Sequence, residues 1–323
     1  MSIFKFFSLL LFITACSVNK DIRTSQGDGS RQVFADVSFE NGFALTPTDP
    51  KTVRQGGGFE KTYLDTLDFG MKSPRPIWQV AQWHSKYNLA NSKSKIDKSG
   101  CLVYTNEGDS RRFGKCKDGS LLLEVNASKE YDKPRVKGEQ WPHLLISQRF
   151  RERSPNVGTT DKMIFSFAIR ILHCENKMMA ETFDRSLHTA HTPLFFIVRN
   201  TNKESKDYNQ SIWFGLPSFD YREDKFNDNE KIHWDIGTAK YIYSVAPRTV
   251  WGDVRLGDGQ WHKTQLDLKP LILKGLEAMK SKNVFLNTTP QDLSVTEMNF
   301  GWEVPGIFDA AVQIKELSLL AFE

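Results

Sequence analysis

Between Leu187 and Tyr243 this 323-residue sequence concentrates side chains that can grip hydroxyl groups and move protons: His188, His191, Arg199, Asn200, Trp213, Asp220, Tyr221, Arg222, His233, Asp235 and Tyr241. Imidazole titrates near neutrality, so His188 and His191 are candidate general acids or bases, with Tyr241 or Tyr243 as a second proton-transfer group. A sugar ring is recognised by an aromatic face against its CH groups and by charged or amide side chains that pair with its hydroxyls. The segment holds both ingredients. Read as a strand, it puts Trp213 and Gly215 on one face, the glycine leaving room beside the indole for a ring. His188, His191, Arg199, Trp213, Asp220 and Arg222 are therefore expected to converge on one concave sheet face as a polysaccharide site.

Two reactions are open to such a face. In an elimination, Arg199 and Asn200 would neutralise a uronate carboxylate while His191 or Tyr241 takes the neighbouring proton. In a hydrolysis, Asp235 and Glu303 form the best carboxylate pair, each beside a tryptophan, and their separation would decide the stereochemical course. Each residue also has a plain structural role to set against these. Trp213 can be core, a histidine at a strand start can bond a neighbouring loop, and Asp220 with Arg222 can be a salt bridge at a turn. Glu303, ahead of Val304-Pro305-Gly306, can accept from turn amides. His188 and His191 would share a metal only in a loop or helical turn, since on a strand they face opposite ways. The chemistry requires no cofactor, and a structural calcium is compatible with it. Gly-x-Ser-x-Gly, His-Glu-x-x-His, Cys-x-x-Cys and Gly-x-x-x-x-Gly-Lys are all missing from the sequence. So are the Glu-x-Asp-x-x-Glu of one sandwich glycosidase family and the Arg-x-Glu-x-Arg and Gln-Ile-His of sandwich alginate lyases.

The elements that must position these groups read as strands. Met163, Phe165, Phe167, Ile169 and Ile171 alternate with Ser166, Ala168 and Arg170, a period of two. Similar runs recur at Ile77–Trp83, Leu121–Asn126, Leu144–Phe150, Leu194–Arg199, Ile212–Leu216, Ile232–Ile236, Tyr241–Val245, Trp261–Leu268, Leu293–Phe300 and Ala310–Phe322. So many strands without intervening helices predict an all-β jelly-roll sandwich of two antiparallel sheets. One short helix is expected to cover an open end. Asp267 caps it, Pro270 suits its first turn, and Leu268, Leu271, Ile272, Leu276 and Met279 fall on one side. Residues 77–323 are expected as one domain. Residues 16–76, rich in Gly and Pro, are expected as a tether holding one strand at Val33–Phe39.

The N-terminus opens with Lys5, an apolar run from Phe6 to Ile13, and Ile13-Thr14-Ala15-Cys16. This resembles the signal peptide and lipobox of bacterial lipoproteins. The resemblance implies cleavage after residues 1–15, lipid on Cys16 and attachment to a membrane through that lipid alone. Ser17 after the cysteine resembles outer-membrane sorting, with the domain facing the periplasm or the cell surface. In that compartment disulfides form, and Cys101 with Cys116 are expected to bridge, flanking the polar segment from Thr105 to Gly114. Cys174 is then left as a buried free thiol. Asp258-Gly259-Gln260-Trp261-His262 with Leu266-Asp267-Leu268 resembles a turn and strand of concanavalin A-like and laminin G-like sandwiches. Gly301-Trp302-Glu303-Val304-Pro305-Gly306 and the run from Phe308 to Leu320 are similar to the end of carbohydrate-handling jelly rolls, including binding modules and polysaccharide lyases. A net charge of +4 with interspersed signs does not describe a nucleic-acid binder. The expectation is thus a lipid-anchored protein outside the cytoplasm that binds a polysaccharide on a concave sheet face. The alternatives are a lyase or glycoside hydrolase using the same face, and a structural envelope lipoprotein.

Overall fold

The apolar alternation is realised as two stacked sheets. The structure, a computed structural model, describes residues 29–55, 62–70, 76–223, 226–235 and 239–323. The signal segment 1–15 and Cys16 lie outside the described residues. In chain order the strands are β1 (Ser30–Gln32), β2 (Phe43–Leu45), β3 (Asp65–Leu67), β4 (Trp78–Ala81), β5 (Lys95–Ile96), β6 (Leu102–Thr105), β7 (Arg111–Lys115), β8 (Leu121–Asn126) and β9 (His143–Arg149). They continue with β10 (Lys162–Asn176), β11 (Leu194–Asn200), β12 (Ser211–Leu216), β13 (Lys231–Asp235), β14 (Lys240–Ser244), β15 (His262–Asp267), β16 (Leu293–Glu303) and β17 (Phe308–Phe322). One sheet runs β15-β10-β17-β8-β7-β6-β5, with β1 added on β17. The other runs β13-β14-β12-β11-β16-β9-β4-β2-β3 and carries the site. This is the expected all-β jelly-roll sandwich.

The core lies between the sheets. Met163, Phe165, Phe167 and Ile169 of β10 are fully buried, and their rings meet the opposite sheet edge to face, Phe165 on Phe196 at 5.1 Å and Phe167 on Phe300 at 5.2 Å. Trp302 and Trp78 are wholly buried, and each finds a carbonyl for its indole N–H, Leu123 O at 3.1 Å and Asp36 O at 2.9 Å. Their burial therefore leaves no donor orphaned.

Four expectations change. The sheets are not wholly antiparallel: β12 pairs β14, and β2 pairs β4, in parallel. The chain between β12 and β14 is long enough to cross over and insert β13 at the outer edge, antiparallel to β14. The covering helix forms as α3 (Leu268–Lys280), with Asp267 Oδ1 accepting from the Lys269 N–H, but two short helices, α1 (Pro50–Gln55) and α2 (Pro247–Trp251), join it. Residue 77 is not a boundary in the sheets, because β1 pairs the last strand and β2 and β3 extend the site-bearing sheet. Val33–Phe39 is a loop rather than a strand. Asp36 accepts from the Glu40 and Asn41 amides and folds the chain back. That places Phe34 and Phe39 against Trp78 at 5.6 and 5.3 Å. Cys101 and Cys116 are joined by a disulfide. Cys174 is a free thiol that burial pushes well above its ordinary range, which makes it a poor nucleophile.

Candidate active site

Strand alternation sorts the larger sheet into a core side and a cleft side. On β16, Met298, Phe300 and Trp302 face the core, which leaves Asn299, Gly301 and Glu303 for the other face. By the same count His143 and Leu145 of β9, Phe195 of β11, Trp213 and Gly215 of β12, Ile242 and Ser244 of β14, and Lys231, His233 and Asp235 of β13 lie on that face. All ten line one cleft of about 650 Å³, which Trp83, His84, Trp141, His191 and Asp220 complete.

At one end of the cleft a single cross-strand row gathers ionisable side chains. Glu303 is paired with His143 on one side and His191 on the other, and His191 is paired in turn with Asp220. His191 and Glu303 exchange both backbone N–H···O bonds at 3.0 Å, a register that fixes their side chains on one face. The Glu303 carboxylate Oε2 lies 3.5 Å from His191 Nε2 and 3.8 Å from His143 Nε2, and accepts from the Trp141 indole N–H at 3.4 Å.

The electrostatics follow from these contacts. Burial alone would raise the Glu303 carboxyl, but the His191 hydrogen bond, the charge interactions with His143 and His191, and Trp141 overcome it and hold it at about 2. Glu303 is an anion at any physiological pH. Asp220 is likewise held at about 2 against its burial by the Arg222 guanidinium, the His191 charge and the Thr189 hydroxyl. Arg222 grips it with two bonds, Nη2 to Oδ2 at 2.7 Å and Nε to Oδ1 at 3.0 Å, and Thr189 Oγ1 donates at 2.6 Å. His143 is buried among Trp83, Trp141 and His84; desolvation pushes its imidazole down to about 4 despite Glu303 beside it. His143 is therefore neutral near pH 7. The His191 side chain retains 29% exposure, against 10% for His143, so it is the imidazole open to the cleft.

Of the residues read from sequence, the structure brings His191, Trp213, Asp220 and Glu303 to the cleft, with Arg222 behind Asp220. His233 and Asp235 line the far side of the cleft on β13, and the others lie elsewhere. His188 is buried and uses both ring nitrogens, Nδ1 accepting from the Asp184 N–H and Nε2 donating to the Arg135 carbonyl, each at 2.9 Å. Arg199 shares the cleft side of its sheet but lies eight residues beyond His191, roughly 25 Å along an extended chain. There it bonds the Asn209 carbonyl. Asn200 is buried, bonded to Ser205 and Thr288. Tyr241 sits on the core side of β14 with Tyr243, packed against the core. Asp235 lines the cleft, but β13 is four strands from β16. That is roughly 19 Å along the sheet, too far to pair with Glu303 across one glycosidic bond. Among the described residues no group of three or more His, Cys, Asp or Glu side chains is arranged to hold a metal ion.

Sequence reasoning missed the far wall: Trp83, His84, Trp141 and His143 lie more than 40 residues before the polar segment. The available signal was the adjacency of Trp and His at Trp83-His84 and Trp141-Pro142-His143, tryptophan being scarce at 8 in the chain.

No protein-family model matches this sequence, and no curated protein matches it either. Among solved structures it is similar to a thermostable cellulase derived from the enzyme of Rhodothermus marinus, at 10% identity and a TM-score of 0.37, covering 75% of this chain and 98% of that one. It is also similar to a family 12 xyloglucanase from Bacillus licheniformis, at 11% identity, a TM-score of 0.36 and coverage of 71% and 99%. A third is the family 11 xylanase from Neocallimastix patriciarum, at 7% identity, a TM-score of 0.37 and coverage of 75% and 95%. At this level of likeness, what the chain does rests on its own residues.

Proposed function

We propose that this protein cleaves a polysaccharide laid across the cleft, with Glu303 as a permanent anion and His191 as the proton-transfer group. The row His143–Glu303–His191–Asp220 on the floor of an aromatic cleft carries this reading. A buried carboxylate held ionised by donors on two sides is suited to stabilise positive charge developing on a sugar ring. A scheme with one protonated carboxylic acid is not supported, because Glu303 and Asp220 are both held at about 2. The acid role falls instead to imidazole, and of the two histidines in the row His191 has the access to substrate. Trp213, Phe195 and Trp83 supply apolar faces along the groove.

Hydrolysis is favoured over elimination. The uronate clamp expected from Arg199 and Asn200 is not assembled, and the Arg222 guanidinium is committed to Asp220. Incubation with neutral and acidic polysaccharides, following both reducing ends and unsaturated-uronate absorbance, tests this. New reducing ends without absorbance, lost in His191→Ala by roughly 10²–10⁴ with binding nearly intact, are expected. Absorbance growth would replace hydrolysis by elimination. A binding module is the second reading, favoured by the saturation of Asp220 with partners, and no product from any glycan that the protein binds would establish it. Binding to no glycan would leave a structural envelope role.

The lipobox supports anchorage through Cys16 in the outer membrane. Among the described residues no helix is long and apolar enough to cross a membrane. Unchanged detergent partitioning of Cys16→Ser would remove the anchor.

A further inference from the structure

Trp141 is held from behind. Its indole is stacked with His143 at 5.6 Å and an interplanar angle of 24°, and the Arg135 guanidinium lies over the ring at 4.9 Å. Two of the ring's contact surfaces are thus already committed, which disfavours a role as a sugar platform. Its N–H instead points to Glu303. Arg135 in turn is fixed by carbonyls. Nε and Nη2 donate to Glu139 O at 3.2 and 2.8 Å, closing the guanidinium on its own loop. Nη1 donates to Leu187 O at 3.2 Å, tying that loop to the segment that leads into His191. His188 adds a second tie between the same two segments through its bond to the Arg135 carbonyl. The loop that carries Trp141 and the segment that carries His191 are therefore bolted together at Arg135.

We infer that Arg135 is a positioning residue for the reaction, acting through Trp141 to fix the Glu303 carboxylate relative to His191. It touches neither the cleft nor substrate. The inference rests on the proposed cleavage for its kinetic readout, and on the Glu303 carboxyl itself for a readout that needs no substrate. A guanidinium does here what a lysine cannot, since three N–H groups in a planar fork reach two carbonyls while the plane lies on an indole. Arg135→Lys keeps the charge and loses the fork, so it is expected to behave like Arg135→Ala rather than to rescue it.

The test compares Arg135→Ala, Arg135→Lys and Trp141→Phe with the unaltered protein. Trp141→Phe keeps the stacked ring and removes only the donor, so it addresses the inference even where an Arg135 variant folds poorly. Displacement of a reacting group by a fraction of an ångström to one ångström costs up to about a hundredfold in turnover. All three variants are expected to lower kcat by about ten- to a hundredfold with KM changed by less than about twofold. In carbon-13 NMR of glutamate-labelled protein, the Glu303 titration midpoint is expected to rise in all three, because a donor to the ionised form is lost or displaced. If the unaltered protein cleaves no glycan, the proposed function falls while the carboxyl titration still decides this inference. A loss confined to KM would make Trp141 a sugar platform and overturn it. So would an unchanged Glu303 midpoint in Trp141→Phe.

Discussion

Replacing Glu303 by glutamine should change how stability depends on pH in a way that can be worked out beforehand. The ordinary carboxyl value of 4.5 and the folded value of about 2 differ by an amount worth about 3 kcal/mol, at 1.36 kcal/mol for each tenfold change in proton affinity. The side chain is 21% exposed, so solvent screening removes little of this. A depressed carboxyl contributes its stability in full above the unfolded value and loses it as pH falls toward the folded one. The Glu303 contribution is therefore complete above about 4.5 and gone near 2. His143 gives a separate slope. Its imidazole falls from 6.5 unfolded to about 4 folded, so the unfolded chain binds the extra proton first and stability drops as pH falls between those values. The unaltered protein should lose stability in two stages on acidification. Glu303→Gln should be less stable by up to about 3 kcal/mol near neutrality, glutamine keeping one acceptor oxygen, and its lower stage should shrink to the part that Asp220, also held at about 2, still supplies. Urea unfolding followed by fluorescence across the acid range measures both. A lower stage that persists unchanged in Glu303→Gln would refute the electrostatic account of the row.

Trp213→Ala should weaken glycan binding by about 1–3 kcal/mol, the size of a lost aromatic platform by analogy with base stacking, and titration calorimetry would read it. Gly301→Ala should lower the melting temperature and turnover together. Gly301 has φ +150°, and an added Cβ would stand 2.1 Å from the Leu144 carbonyl oxygen, forcing β9 and His143 away from Glu303. Arg199→Ala should leave glycan affinity and turnover unchanged, and a measurable loss of either would return Arg199 to the site. Reduction of the Cys101–Cys116 bridge, whose cysteines are 15 residues apart, should cost about 3 kcal/mol in unfolding free energy.

By itself the sequence determined the period-two alternation, hence β4 and the strands from β8 onward though not the short β1–β3 and β5–β7, and the Asp267-capped helix, because these depend on neighbours a few residues apart. It also determined that Trp213 and Gly215 share a face, which strand geometry guarantees whatever the partner strand is. Which strands lie side by side was decided only in three dimensions. His143, Glu303, His191 and Asp220 come from four separate parts of the chain and form one row only because β9, β16 and the segments flanking β11 and β12 pair in that register. Nothing local marks His191 as the open imidazole and His188 as a buried tie. The two are three residues apart, and the difference arises because His191 enters the row against Glu303 while His188 turns to meet the Arg135 carbonyl. Asp235 shows the reverse case. Its tryptophan neighbour made it resemble Glu303 in sequence, but the parallel crossover that sets β13 at the sheet edge carries it four strands away. Pairing between distant strands is fixed by the burial of whole faces rather than by any residue's own preference, so the site becomes legible only once the sheets have closed.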